Sequence, residues 1–163
     1  MKNTKALTLS AMLLAVATVL GFVKIPLNQI IELRFTYLAY GIGGYVLGPV
    51  YGTLIGAFSD ILAYVVKPTG GFFPGFTVSA ALQGLIYGVT LRDHEVTLKR
   101  VMAVQVLVSV IISLGLNTLW LSMLYKLPFM ATLTPRIIKT VVMCPIEAII
   151  LYLILKKVPV TKA

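Results

Sequence analysis

Acidic residues are few in this chain: Asp and Glu together number 5 among 163 residues, beside 1 cysteine, 1 histidine and 1 tryptophan. Each shortage excludes something. Cys144, alone inside an apolar run, cannot form an internal disulfide. His94 has no second histidine and no cysteine cluster near it, so it reads as a solvated loop residue rather than a metal ligand. No glycine-rich loop ends in Gly-Lys-Ser or Gly-Lys-Thr, and zinc and dinucleotide motifs are absent. Nor is there a Gly-x-Ser-Gly or Gly-Asp sequence to suggest an intramembrane hydrolase. The chain is therefore expected to be no enzyme and to carry no catalytic residue, metal or cofactor.

What fills the chain instead is apolar. It is 59% hydrophobic and 12% charged, with a mean hydropathy of +0.98, which excludes an ordinary soluble domain. Six crossings at about 20 residues each use roughly 120 positions and leave only about 40 for turns and ends. No soluble domain fits in that remainder, so energy from ATP has to come from another polypeptide. Lys2 and Lys5 before an apolar run imitate a signal peptide, but the run is too long and no clear cleavage site follows, so it is read as a retained helix. The formal net charge is +9, yet the partner such a chain calls for is the lipid bilayer, with no nucleic acid.

The organising stretch runs from Arg34 to Asp60, RFTYLAYGIGGYVLGPVYGTLIGAFSD. Two apolar segments flank Gly48-Pro49, which predicts a tight hairpin of membrane helices. Asp60 lies about 17 Å beyond that turn, past the middle of a hydrocarbon core about 30 Å thick. A carboxylate at such depth costs at least about 2.5–3.5 kcal/mol, so it reads as a functional group facing the protein interior. Gly52 and Gly56 recur at four-residue spacing beneath it and give that face a close-packing stripe.

The fold predicted is an all-α integral membrane protein, one domain over residues 1–163 folded as a compact bundle of six transmembrane helices. The helices are placed at about 6–23, 34–47, 50–66, 77–91, 101–124 and 136–155. Helix two, at about 21 Å, is short enough to tilt, thin the bilayer or wall a cavity. Ala80, Gly84 and Gly88 give helix four its own small-residue stripe. Between helices three and four, KPTGGFFPGF cannot be a continuous helix, and it is read as the lid or wall of a binding site. Both termini are assigned to the cytoplasm, the side that collects Lys2, Lys5, Arg92, Lys99, Arg100, Lys156, Lys157 and Lys162. The basic residues left on the outer side would attract an anion.

This topology brings Arg34, Asp60, Asn117, Trp120 and Arg136 to one level in the outer half, under the loop holding Gly70, Phe72 and Phe73. Asp60 could take the amino group and ring N–H of a flat heterocycle. Trp120, with Phe72, Phe73 or Tyr64, could stack on it, and Arg34 and Arg136 could hold carboxylates. Plainer roles are open to the same residues: Asp60 as a partner of Arg34 or Asn117, Trp120 as an interfacial anchor, and Arg136 and Lys139 as snorkelling cations. Glu147 is placed nearer the cytoplasmic half, outside this pocket, in a structural hydrogen bond for which Gln83 is one conceivable partner.

Taken together, AMLLA in helix one, RFTYLAYGIGGYVLGPVYG, GAFSDIL, and KPTGGFFPGF followed by ALQGLIYG resemble the S components of energy-coupling factor (ECF) vitamin transporters, most closely their folate family. The resemblance implies a multi-pass protein of a bacterial cell membrane. Such a protein binds folate or a related vitamin at its outer face and docks on a membrane coupling (T) protein driven by two ABC-type ATPases. It maps the docking role onto Ala11 and Ala15. S components for riboflavin or thiamine, and a membrane interaction protein outside transport, are the alternatives. A cationic vitamin such as thiamine would leave the outer arginines without partners.

Overall fold

The computed structural model describes residues 2–26, 32–68 and 71–158. The order is α1 (Lys2–Phe22), β1 (Lys24–Pro26), β2 (Glu32–Arg34), α2 (Thr36–Leu47), α3 (Pro49–Val66), α4 (Pro74–Leu91), α5 (Leu98–Tyr125) and α6 (Phe129–Lys157). Helices satisfy their backbone polar groups within each segment, which is what lipid demands. By length and composition α1, α3, α5 and α6 can cross a membrane. Large apolar side chains cover their outward faces, among them Met12, Val16, Val65, Ile138 and Val141. Such a surface suits lipid rather than water.

The turn between α2 and α3 rests on Gly48, whose φ of 99° is one that a Cβ disfavours, followed by Pro49 at the first position of α3. Proline fits there because that N–H would have no helical partner. The two small-residue stripes then meet each other. A Cβ on Gly56 would lie 2.2 Å from the carbonyl oxygen of Ala80, and one on Gly88 would lie 2.3 Å from the Cα of Pro49. α3 and α4 are therefore in backbone contact along the whole stripe, closer than side chains would allow.

The solid core fills the end of the bundle that holds the Gly48-Pro49 turn and the α4–α5 loop. Tyr87 and Leu91 of α4, Val101 and Val108 of α5, and Leu151 and Leu155 of α6 are all but fully buried there. The opposite end, with the β-hairpin and the α3–α4 loop, is hollow.

Three elements differ from their sequence reading. Arg34 does not open helix two: it ends β2, paired with Lys24 across an antiparallel two-stranded sheet, and α2 begins at Thr36. Strand geometry puts Arg34 and Glu32 on one face, where they form an ion pair at 2.8 Å. α6 starts at Phe129 rather than near 136, so Pro135 and Pro145 both lie inside it. The hydroxyls of Thr132 and Thr134 bond back to the carbonyls of Pro128 and Met130 through this first stretch. Finally, α5 is not uniform, because Ser109–Leu116 winds as a π-helix between two α-helical parts.

Candidate functional site

A cavity of about 240 Å³ occupies the hollow end. Its position follows from the glycine stripe. Gly56 lets α4 approach α3 so closely that Thr77, one turn before Ala80, reaches Asp60, and Thr77 Oγ1 donates to Asp60 Oδ2 at 2.9 Å. Asp60 faces the cavity with Tyr64 one turn above it. Among the described residues its hydrogen-bond partner is Thr77, not Arg34 or Asn117.

The loop after α3 turns its aromatics onto the same space. Phe72 and Phe73 both line the cavity, Phe72 with its ring 5.0 Å from Tyr64. Phe73 lies between Phe76, at 6.1 Å, and Trp120, at 5.5 Å. Trp120 itself does not line the cavity. Its Nε1–H donates to Ser79 Oγ at 3.0 Å, which turns the indole into the bundle behind Phe73. Gly75 makes this fit possible, since a Cβ there would meet Trp120 Cδ2 at 2.5 Å and Phe73 Cε1 at 2.6 Å. Gly70 lies outside the described residues.

The π-helical stretch shapes the α5 wall. Its wider turns make the Asn117 backbone N–H donate to the Ile112 carbonyl. The Ser113 carbonyl meanwhile accepts both Thr118 Oγ1 and Arg136 Nη2, each at 3.1 Å. Extra residues of this kind recur at functional sites because they re-aim a helix face. Here Asn117 lines the cavity, and its Oδ1 is buried with no hydrogen-bond partner among the described residues. A buried amide oxygen left unpaired costs about 1–3 kcal/mol, so it marks a place where a guest can supply a donor.

Basic groups gather near the hairpin. Arg34, Lys67, Arg136 and Lys139 line the cavity, and Lys139 Nζ donates to the Glu32 backbone carbonyl at 2.8 Å, tying β2 to α6. The Arg34 guanidinium is already engaged by Glu32, so a ligand carboxylate would share it.

One placement needs correcting. Glu147 was expected outside the pocket, but it lines the cavity, together with Gln83 and Gln105. Its hydrogen-bond donor is Gln105 Nε2 at 2.7 Å. The depth of the cavity accounts for the difference, since its lining extends down to these three side chains. Tyr37 was not singled out from the sequence, yet it also lines the cavity, with a buried hydroxyl lacking a partner among the described residues. The shortness of helix two was the available signal, since Tyr37 and Tyr40 sit one turn apart on it and both face inward. Ala11 and Ala15 lie away from the site on an exposed face of α1, whereas Ala17 and Gly21 of the same helix reach the cavity.

Comparison with known proteins converges on one group. The family described as "ECF transporter, substrate-specific component" matches residues 5–155. The folate transporter FolT of Clostridium novyi is 34% identical over 125 residues, covering 77% of this chain and 73% of that protein. The folate transporter FolT of Leuconostoc mesenteroides is 33% identical over 159 residues, covering 94% and 85%. Among solved structures, FolT bound with folic acid superposes with a TM-score of 0.85 at 35% identity, over 91% of this chain and 93% of that one. The S component for biotin from an ECF-type ABC transporter gives 0.68 at 20% identity, over 98% and 95%, a likeness of fold alone.

Proposed function

The chain belongs to the substrate-specific components of ECF transporters, a family of multi-pass membrane proteins that are not enzymes, and from that membership we propose that it binds folate at its extracellular face for uptake. The observation that carries the ligand assignment is the likeness, over nine-tenths of the chain, to FolT bound with folic acid. The cavity chemistry agrees with it. Folate offers an amino and N–H edge for Asp60, rings for Tyr64, Phe72 and Phe73, and two carboxylates for Arg34 and Arg136. Asn117 supplies a further acceptor. Trp120 acts from behind Phe73.

The remaining parts follow the logic of the family. The protein is a single six-helix substrate-binding unit in a bacterial cell membrane, with both termini in the cytoplasm. Supporting that orientation, the cavity opens at the end opposite the Arg92–Arg100 segment, whose basic residues favour the inner side. Labelling by a membrane-impermeant maleimide in whole cells, at His94→Cys but not Leu127→Cys, would contradict it. The chain carries no nucleotide motif, so a T protein and two ABC-type ATPases supply the work, and Ala11 and Ala15 present the close-packing face to that partner.

Calorimetric titration of the purified protein with folic acid, riboflavin and thiamine tests the ligand. Heat of binding is expected with folic acid alone. Binding of another of these vitamins in its place would overturn the assignment.

A further inference from the structure

Folate binding, as read above, leaves one acidic group of the cavity unused. Glu147 faces the cavity from α6, and one of its oxygens, Oε2, is held by Gln105 Nε2 at 2.7 Å. Gln105 is itself fixed. Its Oε1 accepts the hydroxyl of Tyr87 at 2.6 Å, and Tyr87 and Gln105 are 0% and 2% exposed. With Oε1 on the phenol, the Gln105 amide can only present N–H to Glu147, because turning it over would set oxygen against carboxylate. The relay runs through α4, α5 and α6 and leaves the carboxylate with spare acceptor capacity toward the cavity. The Tyr37 hydroxyl, without a hydrogen-bond partner among the described residues and on a residue 4% exposed, lines the same cavity.

The basic groups on α6 add direction. Arg136 and Glu147 both line the cavity, and eleven positions put them about 20° apart in azimuth and about 16 Å apart along the helix. Lys139 lies between them, about 12 Å from Glu147. One helix thus sets cations toward the mouth and an acid in the depth, matched to a ligand that has an N–H-rich end and an acidic end. A heterocycle bearing an amino group beside a ring N–H presents more N–H hydrogens than one carboxylate can pair, so an acid besides Asp60 is not redundant.

We propose that Glu147 is a specificity-determining residue that receives the N–H-rich heterocycle of the ligand together with Asp60, so that the ligand enters heterocycle first and leaves its carboxylates toward the mouth, on Arg34 and Arg136. Gln105 and Tyr87 act as positioning residues for that carboxylate. The inference rests on the folate reading above and deepens it.

The test compares folic acid with pteroic acid, which keeps the heterocycle and lacks the glutamate, by calorimetry on the purified protein. Glu147→Gln is expected to weaken both ligands by the same factor, about tenfold or more. Arg136→Gln is expected to weaken folic acid more than pteroic acid. Tyr87→Phe, which releases Gln105 without touching the cavity charge, should weaken pteroic acid several-fold, and it serves if Glu147→Gln does not fold. Unchanged affinity for both ligands in Glu147→Gln, or in Tyr87→Phe should that variant have to stand in, overturns the inference and leaves folate binding intact. No binding of folic acid by the unaltered protein overturns the folate reading itself, and this inference with it.

Discussion

Gly52 and Gly84 meet backbone to backbone. A Cβ on Gly84 would come within 2.0 Å of the Gly52 carbonyl oxygen, and one on Gly52 within 2.6 Å of the Gly84 carbonyl oxygen. Neither obstacle is a flexible side-chain tip, so α3 and α4 would have to part. Overpacking of this kind costs about 1–3 kcal/mol even where side chains can yield. Gly84→Ala is expected to lower the unfolding midpoint in detergent and the folded yield. Gly115→Ala, whose Cβ would have its nearest neighbour, the Val110 carbonyl oxygen, at 3.4 Å, is expected to be tolerated. Equal midpoints for the two variants would remove the stripe from the account.

Asp60 sits at the top of that stripe, and its neutralisation tests the ligand's donor edge. A hydrogen bond to a charged group is worth about 1.5–3 kcal/mol, so Asp60→Asn is expected to weaken folate binding roughly tenfold to a hundredfold. Thr77→Val removes only the hydroxyl that orients the carboxylate and should weaken binding several-fold. Calorimetry reads both. An unchanged dissociation constant in Asp60→Asn would take that residue out of the site.

Trp120 is the one tryptophan of the chain, so its fluorescence reports a single place. Phe73 stands between it and the cavity, and folate binding is expected to change its emission. Gly75→Ala would push against both rings. The variant should weaken folate binding by about 1–3 kcal/mol and shift the emission of the empty protein. Emission indifferent to saturating folate would place the ligand elsewhere.

Docking should be separable from binding. Ala11 and Ala15 lie on the exposed face of α1, and neither lines the cavity. Ala11→Trp or Ala15→Trp is expected to cut co-purification of the T protein at least about tenfold while leaving folate affinity within about twofold, because a small-residue face admits a neighbouring helix only at close range. Co-purification that survives both substitutions would assign docking to another surface.

Much of this was legible in the residues. Gly48-Pro49 declared the hairpin, and the two glycine stripes declared which helices touch, because both follow from local chemistry at fixed spacing. The wall holding Arg34, Asp60, Tyr64, Phe72, Phe73, Asn117 and Arg136 could be drawn from the depth of polar groups along apolar runs and from aromatics in and beside the Pro- and Gly-rich loop. What escaped depends on more than composition. Strands of three residues are too short for an alternation to register, so the β-hairpin leaves no trace in the pattern and Arg34 reads as the start of a helix. The π-helical SVIISLGL is apolar throughout, and hydropathy does not record how many residues make a turn. Glu147 reads as lying outside the pocket because it is about 16 Å down the helix from Arg136, and apolar runs do not record how deep a cavity reaches. Trp120 shows the limit for a single amphipathic ring, since the partner that turns it inward is Ser79, on another helix.

The measurement that bears most directly on the central claim is an experimental structure of the protein with folic acid. Density for the ligand is expected inside the cavity, its heterocycle within hydrogen-bond reach of the Asp60 carboxylate and stacked by Phe72 or Phe73. Folic acid bound outside this hollow, with Asp60 held by Thr77 alone, would contradict the account.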